Sequence, residues 1–397
     1  MTNITLTEFT SELVKITGIG SVVAMTDILI TNIDLFSKPA VYFKDYYRQV
    51  TIFDVNVDNV TTDTDGSIIN IQQATILQAS QLSFTNIHSY SSDSTNNYMM
   101  EIVSMDLSAT YPSTLQNISV SDFTTGVLKI QTLTGNLSDN NMLLIQDFTI
   151  SDSNLTNSID LITLKSLMTH ESYSIVFSNM VFQNLNFLQG ANLLNFEHLT
   201  SNPVELKDSK FFDIEGGKIN VQSFTSNLAN LSTSLTMTNI TVDYINSQFD
   251  SFITLQTGAI VSISDSSFTN TNCYEEGSVL FAGTEYTQTT IENTIFENNT
   301  ALLGAVMFIE QQSVVICVNC TFFNNFAVEG GVVAAFDNGY FIFNESMFDN
   351  NIAISGLVAY VFSSVSESSI VASNITKNRF VSSSFIMNEI TGTCSIL

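Results

Sequence analysis

The groups with which this chain could do chemistry are few and scattered. Among 397 residues there are four cysteines (Cys273, Cys317, Cys320, Cys394), three histidines (His88, His170, His198) and two arginines (Arg48, Arg379). Cys317 and Cys320 form C-V-N-C, a spacing that serves redox or zinc chemistry when a turn brings both sulfurs together. Here the flanking residues read as a strand, where positions three apart face opposite sides, so no such role is expected. No two cysteines share a place in the repeat described below, which predicts buried free thiols rather than disulfides between neighbouring turns. The histidines have neither zinc-site nor triad spacing and read as ordinary strand or loop residues.

Acid–base cleavage of a glycosidic bond needs two carboxylates at a fixed separation. Asp63/Asp65, Asp147/Asp152 and Glu275/Glu276 are the candidate pairs, and all read as solvated loop carboxylates. Proton abstraction from an acidic sugar would also need a cation, and the two arginines lie near opposite ends of the chain. TDTDGS has half of a calcium loop, but Thr61 stands at the first ligand position and Gln72 at the last. Eleven N-x-[S/T] sequons are about what the Asn, Ser and Thr content yields by chance. Asn136 and Asn154 read as exposed loop sequons, the candidates for glycosylation, whereas Asn298 is expected inside the fold, where a glycan has no room. The sequence implies no catalytic residue, cofactor or metal.

Composition points to the elements that must position these groups. A formal net charge of −27 argues against a nucleic-acid partner, because phosphate contacts need clustered Lys or Arg. Thirty Phe, no Trp and 3 Pro, with abundant Asn, Ser, Thr and Ile, suit strands and turns. No apolar run approaches the roughly 18 residues that span a bilayer, so no membrane span is expected. The start MTNITLTEFT lacks a basic and then apolar signal segment, and with the abrupt end GTCSIL it suggests a piece of a longer polypeptide, the alternative being a complete, intracellular chain.

One pattern organises the chain. FENNTALLGAV from 296 returns as FFNNFAVEGGV from 322 and as FDNNIAISGLV from 348, an interval of 26 residues each time. Phe296, Phe322 and Phe348 share one place; Asn298, Asn324 and Asn350 share the next, followed by Asn299, Asn325 and Asn351, and then Gly304, Gly330 and Gly356. Further anchors are expected at Phe268, Val242, Phe211, Phe182, Ile150, Val120, Phe84, Val57, Leu35 and Leu6, with a last copy near Lys377. Leu-rich horseshoes and helical repeats lack their signatures here, which leaves a parallel β-helix. We therefore expect an all-β parallel solenoid of about fourteen turns, one continuous domain over 1–397. Its phenylalanines should stack inside, its asparagines should satisfy the bends, and its glycines should mark a tight corner before strands starting at Val306, Val332 and Val358.

The run IENTIFENNTALLGAV resembles the repeat of chlamydial polymorphic outer-membrane proteins, which also occurs in large surface proteins of ciliates and other protists. Its F-x-x-N element matches Phe296–Asn299, Phe322–Asn325 and Phe348–Asn351. Its glycine element appears as LGAV, GGVV and SGLV, and as QGAN at Gly190 and Ala191. Only one copy carries the doubled glycine, and no autotransporter barrel follows. The resemblance implies a right-handed parallel β-helix of the pectin-lyase-like fold, exposed outside cells with a structural or adhesive role. The expected function is thus a non-enzymatic rod of a large extracellular or cell-surface protein, whose partners are protein segments or subunits at its two ends, and glycans. The alternatives are a carbohydrate-binding or polysaccharide-cleaving β-helix, favoured by a groove with stacked aromatics beside paired carboxylates, and a subunit of an end-to-end filament.

Overall fold

The structure is a computed structural model. It describes residues 2–396 apart from 8–13, 36–37, 64–66, 90–96, 108–110, 136–141, 156–158, 166–173, 188–190, 200–203, 224–233, 285, 363–366, 372, 384–385 and 390–392. Among the described residues every regular element is a β-strand, and the paired strands run parallel. The chain is a parallel β-solenoid whose contacts divide into two units, Met1–Glu205 and Leu206–Leu397.

Vertical registry is visible in the strand partners. In the first unit the pairing runs Leu6, Ile30, Val57, Phe84, Val120, Ile150, Phe182. In the second it runs Phe211, Val242, Phe268, Phe296, Phe322, Phe348, Ile375. Two expected anchors move. Ile30, not Leu35, pairs with Val57, and Ile375, not Lys377, pairs with Phe348.

What fixes the registry is a pair of bends in each circuit. In the first unit the backbone is left-handed at Asp27/Asn32, Asp54/Asn59, Gln81/Asn86, Asn117/Asp122, Asp147/Asp152 and Asn179/Asn184. In the second it is left-handed at Asp208/Asp213, Asn239/Tyr244, Asp265/Asn270, Asn293/Asn298, Asn319/Asn324 and Glu345/Asn350. These φ values lie between 50° and 62°, and the two residues of a pair stand five apart and bracket the anchor. Left-handed backbone costs most side chains about 1–2 kcal/mol, whereas Asn and Asp adopt it readily. The spacing Asn/Asp-x-x-anchor-x-Asn/Asp is therefore a conformational instruction.

The bend side chains also bond vertically. Asn59 Nδ2 donates to Asn32 Oδ1 at 2.6 Å, Asn184 to Asp152 at 2.8 Å and Asn239 to Asp208 at 2.6 Å. Asn298 belongs to this outer set: it is exposed, has φ of 56°, and donates to Asn270 Oδ1 at 3.2 Å. Its expected internal position is thus corrected, because the left-handed turn points the side chain outward. Asn350 likewise donates to Asn324 Oδ1.

The next asparagine faces in. Asn299, Asn325 and Asn351 are fully buried, and each closes the same circuit of bonds. Asn325 Nδ2 donates to Phe296 O at 3.0 Å and to Asn351 Oδ1 at 2.9 Å, while its Oδ1 accepts from Asn299 N at 3.0 Å. The ladder ends on Thr271, whose N–H reaches Asn299 Oδ1 at 3.0 Å, and on Asn378, which accepts from Asn351 N at 2.7 Å. Beside it Phe268, Phe296, Phe322 and Phe348 stack with ring centroids 5.4, 5.1 and 5.0 Å apart and planes within 10° of parallel. Such pairs add about 0.5–1.5 kcal/mol each beyond area burial.

The glycine corner is sterically strict. Gly304, Gly330 and Gly356 have φ of 59°, 67° and 61°, and an added Cβ would lie 2.0, 2.2 and 2.5 Å from the carbonyl oxygens of Met307, Val333 and Ala359. Beyond the corner, Val306, Val332 and Val358 precede their strands rather than open them, and each is buried together with its successor. The cause is a recurring bulge: Val306 N and Met307 N both donate to Val332 O, and Val332 N and Val333 N both donate to Val358 O.

Two substitutions separate bend from ladder. Asn298→Ala is expected to cost about 1–2 kcal/mol and Asn298→Gly much less, since glycine accepts the left-handed backbone. Asn325→Leu and Asn325→Asp should both cost more, about 2–5 kcal/mol, because each strands buried groups of the ladder. Urea denaturation of the four variants checks the order.

Candidate ligand-binding pocket

In the first unit, four successive strands stack on one side of the solenoid: Tyr98–Leu107, Gly126–Ile130, Ile162–Lys165 and Asn192–Leu199. Their inward residues, such as Ile102, Ile130, Leu164 and Phe196, are buried. Alternation therefore sends Glu101, Lys129, Thr163 and Asn195 outward in one registered column. Lys165 and Glu197 pair in the next outward column.

Between these side chains lies a cavity of about 210 Å³ lined by Tyr98, Lys129, Ile130, Gln131, Asp160, Thr163, Lys165 and Glu197. Gly126 makes room for its wall. A Cβ at Gly126 would lie 2.5 Å from two ring carbons of Tyr98, so only a residue without a side chain lets the ring cross there. The ring carries the Tyr98 hydroxyl to 3.2 Å from Thr163 Oγ1, and Lys129 Nζ sits 5.3 Å from the ring centroid. Burial, together with the carboxylates of Asp160, Glu197 and Glu101, pushes the Tyr98 phenol far above its ordinary value, so it stays protonated.

The charges in the lining are paired. Lys165 Nζ lies 3.2 Å from Glu197, and Lys129 Nζ lies 3.8 Å from Glu101. Asp160 accepts from Asn192 Nδ2 and Asn195 Nδ2, each at 2.6 Å, and Glu101 accepts from Gln131 Nε2 and from Asn70 Nδ2. The result is a small recess offering ammonium and amide donors and carboxylate acceptors side by side, with an aromatic wall. None of these residues stands out in the sequence. Only the registry of four circuits collects them, although Tyr98 closes the insertion YSSDSTNNY and Gly126 stands opposite it in the ladder.

The second unit carries a different surface on the strands that follow its glycine corner. On the side away from the phenylalanine stack, Phe281, Phe308 and Phe336 form a row with centroids 5.7 and 5.2 Å apart, flanked by Tyr360 and Phe362; Phe308 and Tyr360 are buried in it and the other three are partly buried. Half-buried acids adjoin it. Burial and then Glu275 raise the proton affinity of Glu276, while burial and then the charges of Glu276 and Asp337 raise that of Glu310.

The residues singled out in the sequence are dispersed. Asp147 and Asp152 occupy successive bends and bond to Asn179 and Asn184; the hydrogen bond from Asn184 holds the Asp152 carboxyl below its ordinary value. Asp65, His170, Asn136 and Gly190 lie outside the described residues, as do the side chains of His198 and Cys394. His88 Nε2 is 3.8 Å from Asp122. Asn154 is exposed, but on the strand Met142–Leu155 rather than in a loop. Among the described residues no group of three or more His, Cys, Asp or Glu is placed to hold a metal ion.

Cys273, Cys317 and Cys320 are buried free thiols. The expectation that Cys317 and Cys320 face opposite ways is corrected: the left-handed bend at Asn319 reverses the alternation, and both point inward. Cys317 pairs with Ile291 and Phe343 in the core. Cys320 Sγ reaches the carbonyls of Val318 and Ile291 at 3.6 Å, as the hydroxyls of Ser266, Thr294 and Ser346 reach the carbonyls two residues before them. The thiol stands in a hydroxyl's place.

No protein-family model matches the chain, and no curated protein sequence matches it. Among solved structures it is similar to the Agl-KA catalytic domain, at 10% identity and a TM-score of 0.34, over 86% of this chain and 62% of that one. A likeness at that level carries no argument about activity.

The acids beside the aromatic row give a pH signature. A carboxyl that holds its proton more tightly when folded contributes stability fully present below its unfolded value, near 4.5, and lost as pH rises through the raised folded value. Glu310→Gln removes that loss. The variant is expected to exceed the parent at pH 7 by less than about 1 kcal/mol, since the group is only half-buried, and the gap should close as pH falls towards 4.5. Thermal melts of both proteins across this range check it.

Proposed function

We propose that this chain is a structural or adhesive segment of a large protein displayed outside cells or on their surface, and that it does no catalysis. The observation that carries the reading is the repeated geometry of residues 268–378: the phenylalanine stack and the internal asparagine ladder recur with the same partners in each circuit. Circuits built alike extend a surface by simple addition, which suits a scaffold. The extracellular placement rests on the resemblance of the repeat to those of surface proteins. In this reading the partners are further protein segments or subunits at the solenoid ends, and glycans, some of them attached at sequons such as Asn154.

A carbohydrate-binding solenoid is the second reading. It is favoured by the pocket of the first unit and by the aromatic row with adjoining acids in the second.

Deleting residues 322–347 removes one 26-residue circuit and brings Phe348 to the place of Phe322. For a scaffold of interchangeable circuits the shortened protein should fold and melt cooperatively, read by circular dichroism and size-exclusion chromatography. Collapse of the fold would count against the additive design, and turnover of a polysaccharide by the purified parent would overturn the non-catalytic reading.

A further inference from the structure

We infer that the pocket of the first unit binds one neutral, hydroxyl-rich sugar ring. The inference builds on the adhesive reading above and adds the ligand class. Size restricts the occupant. At about 210 Å³ the cavity falls below the roughly 300–1,000 Å³ of sites that take drug-sized molecules, so it admits a single ring rather than an extended ligand.

Charge then chooses among rings. Lys129 and Lys165 each face a carboxylate, at 3.8 and 3.2 Å; the lining itself holds two carboxylates, Asp160 and Glu197, beside these two ammoniums, and Glu101, the partner of Lys129, is not part of it. An anionic ring, such as a uronate or a sugar phosphate, would meet two carboxylates and would have to compete with Glu101 and Glu197 for the two ammoniums. A neutral ring with adjacent hydroxyls meets what it needs: each hydroxyl both donates and accepts, and the lining alternates carboxylate acceptors with ammonium and amide donors. The Tyr98 ring, buried over Gly126 and with Lys129 above it, bounds the recess and fixes its shape rather than offering an open face for stacking.

The position of the acceptors is fixed before any ligand arrives. Asn195 Nδ2 is hydrogen-bonded to both Asp160 and Glu197, at 2.6 and 3.0 Å, which orients two of the acceptors. Glu101 is oriented by Asn70 and Gln131. A preorganised polar lining loses less on binding than one that must be ordered by its ligand.

The test titrates the purified protein with glucose, galactose, mannose and N-acetylglucosamine, with glucuronate and glycine as charged and zwitterionic comparators, by calorimetry and ligand-observed NMR. Saturable binding of at least one neutral sugar, at millimolar strength or better, is expected. Gly126→Ala should weaken it at least tenfold by displacing the Tyr98 ring. Because that variant could disturb the strand, Glu197→Gln and Lys165→Met, both on the outward face, serve as a second pair and should each weaken binding several-fold with an unchanged melt. Tighter binding of glucuronate or of glycine than of any neutral sugar would overturn the inference. So would no binding of any neutral sugar up to about 50 mM, or binding indifferent to all three variants. None of these failures touches the circuit-deletion result, so the scaffold reading stands or falls separately.

Discussion

A chain that must return to the same place on every circuit needs turns whose direction is fixed by the residues themselves. Here that constraint is met by left-handed backbone at two sites five residues apart, filled mostly by Asn and Asp. Each bend sends its own side chain outward and flips the alternation of the strand, so the residue after the second bend, such as Asn299, points into the core although its neighbour Asn298 is exposed. The inward Cys320 after Asn319 obeys the same rule at the first bend.

The bends would leave polar backbone stranded in an apolar interior, and the second unit resolves this with buried side chains. Asn325 satisfies the carbonyl of Phe296 and the amide of Asn299 at once. Ser266, Thr294, Cys320 and Ser346 cover the other bend. Because the asparagines, and also Ser266, Cys320 and Ser346, bond to a neighbouring circuit as well, polar satisfaction and vertical registry become one requirement. A buried orphan costs about 1–3 kcal/mol, so a circuit that slipped would be penalised at every rung.

On that frame the outward faces are free to vary. The strands beyond the corner carry a polar recess with an aromatic wall in the first unit and a phenylalanine row with proton-hungry acids in the second. The inward residues of the same strands are buried aliphatics and aromatics, and in the aromatic row Phe308 and Tyr360 are buried as well. The exposed side chains of these strands can therefore change without disturbing the registry.

The repeat of residues 296–358 declared the parallel solenoid, the phenylalanine stack and the glycine corner directly, because identical side chains stacked on one another need identical letters. The first unit repeats less strictly. Its anchors are Ile and Val more often than Phe, and Leu35, expected as an anchor in place of Ile30, is likewise apolar and buried. The bend pairs, legible as Asn/Asp five apart, identify Ile30 through Asp27 and Asn32. Which of two adjacent asparagines turns inward, and which way two cysteines three apart face, followed from φ, which letters do not state. The pocket lay furthest from the sequence: Tyr98, Gly126, Thr163 and Glu197 are common residues tens of positions apart, and only the stacking of four circuits makes them neighbours.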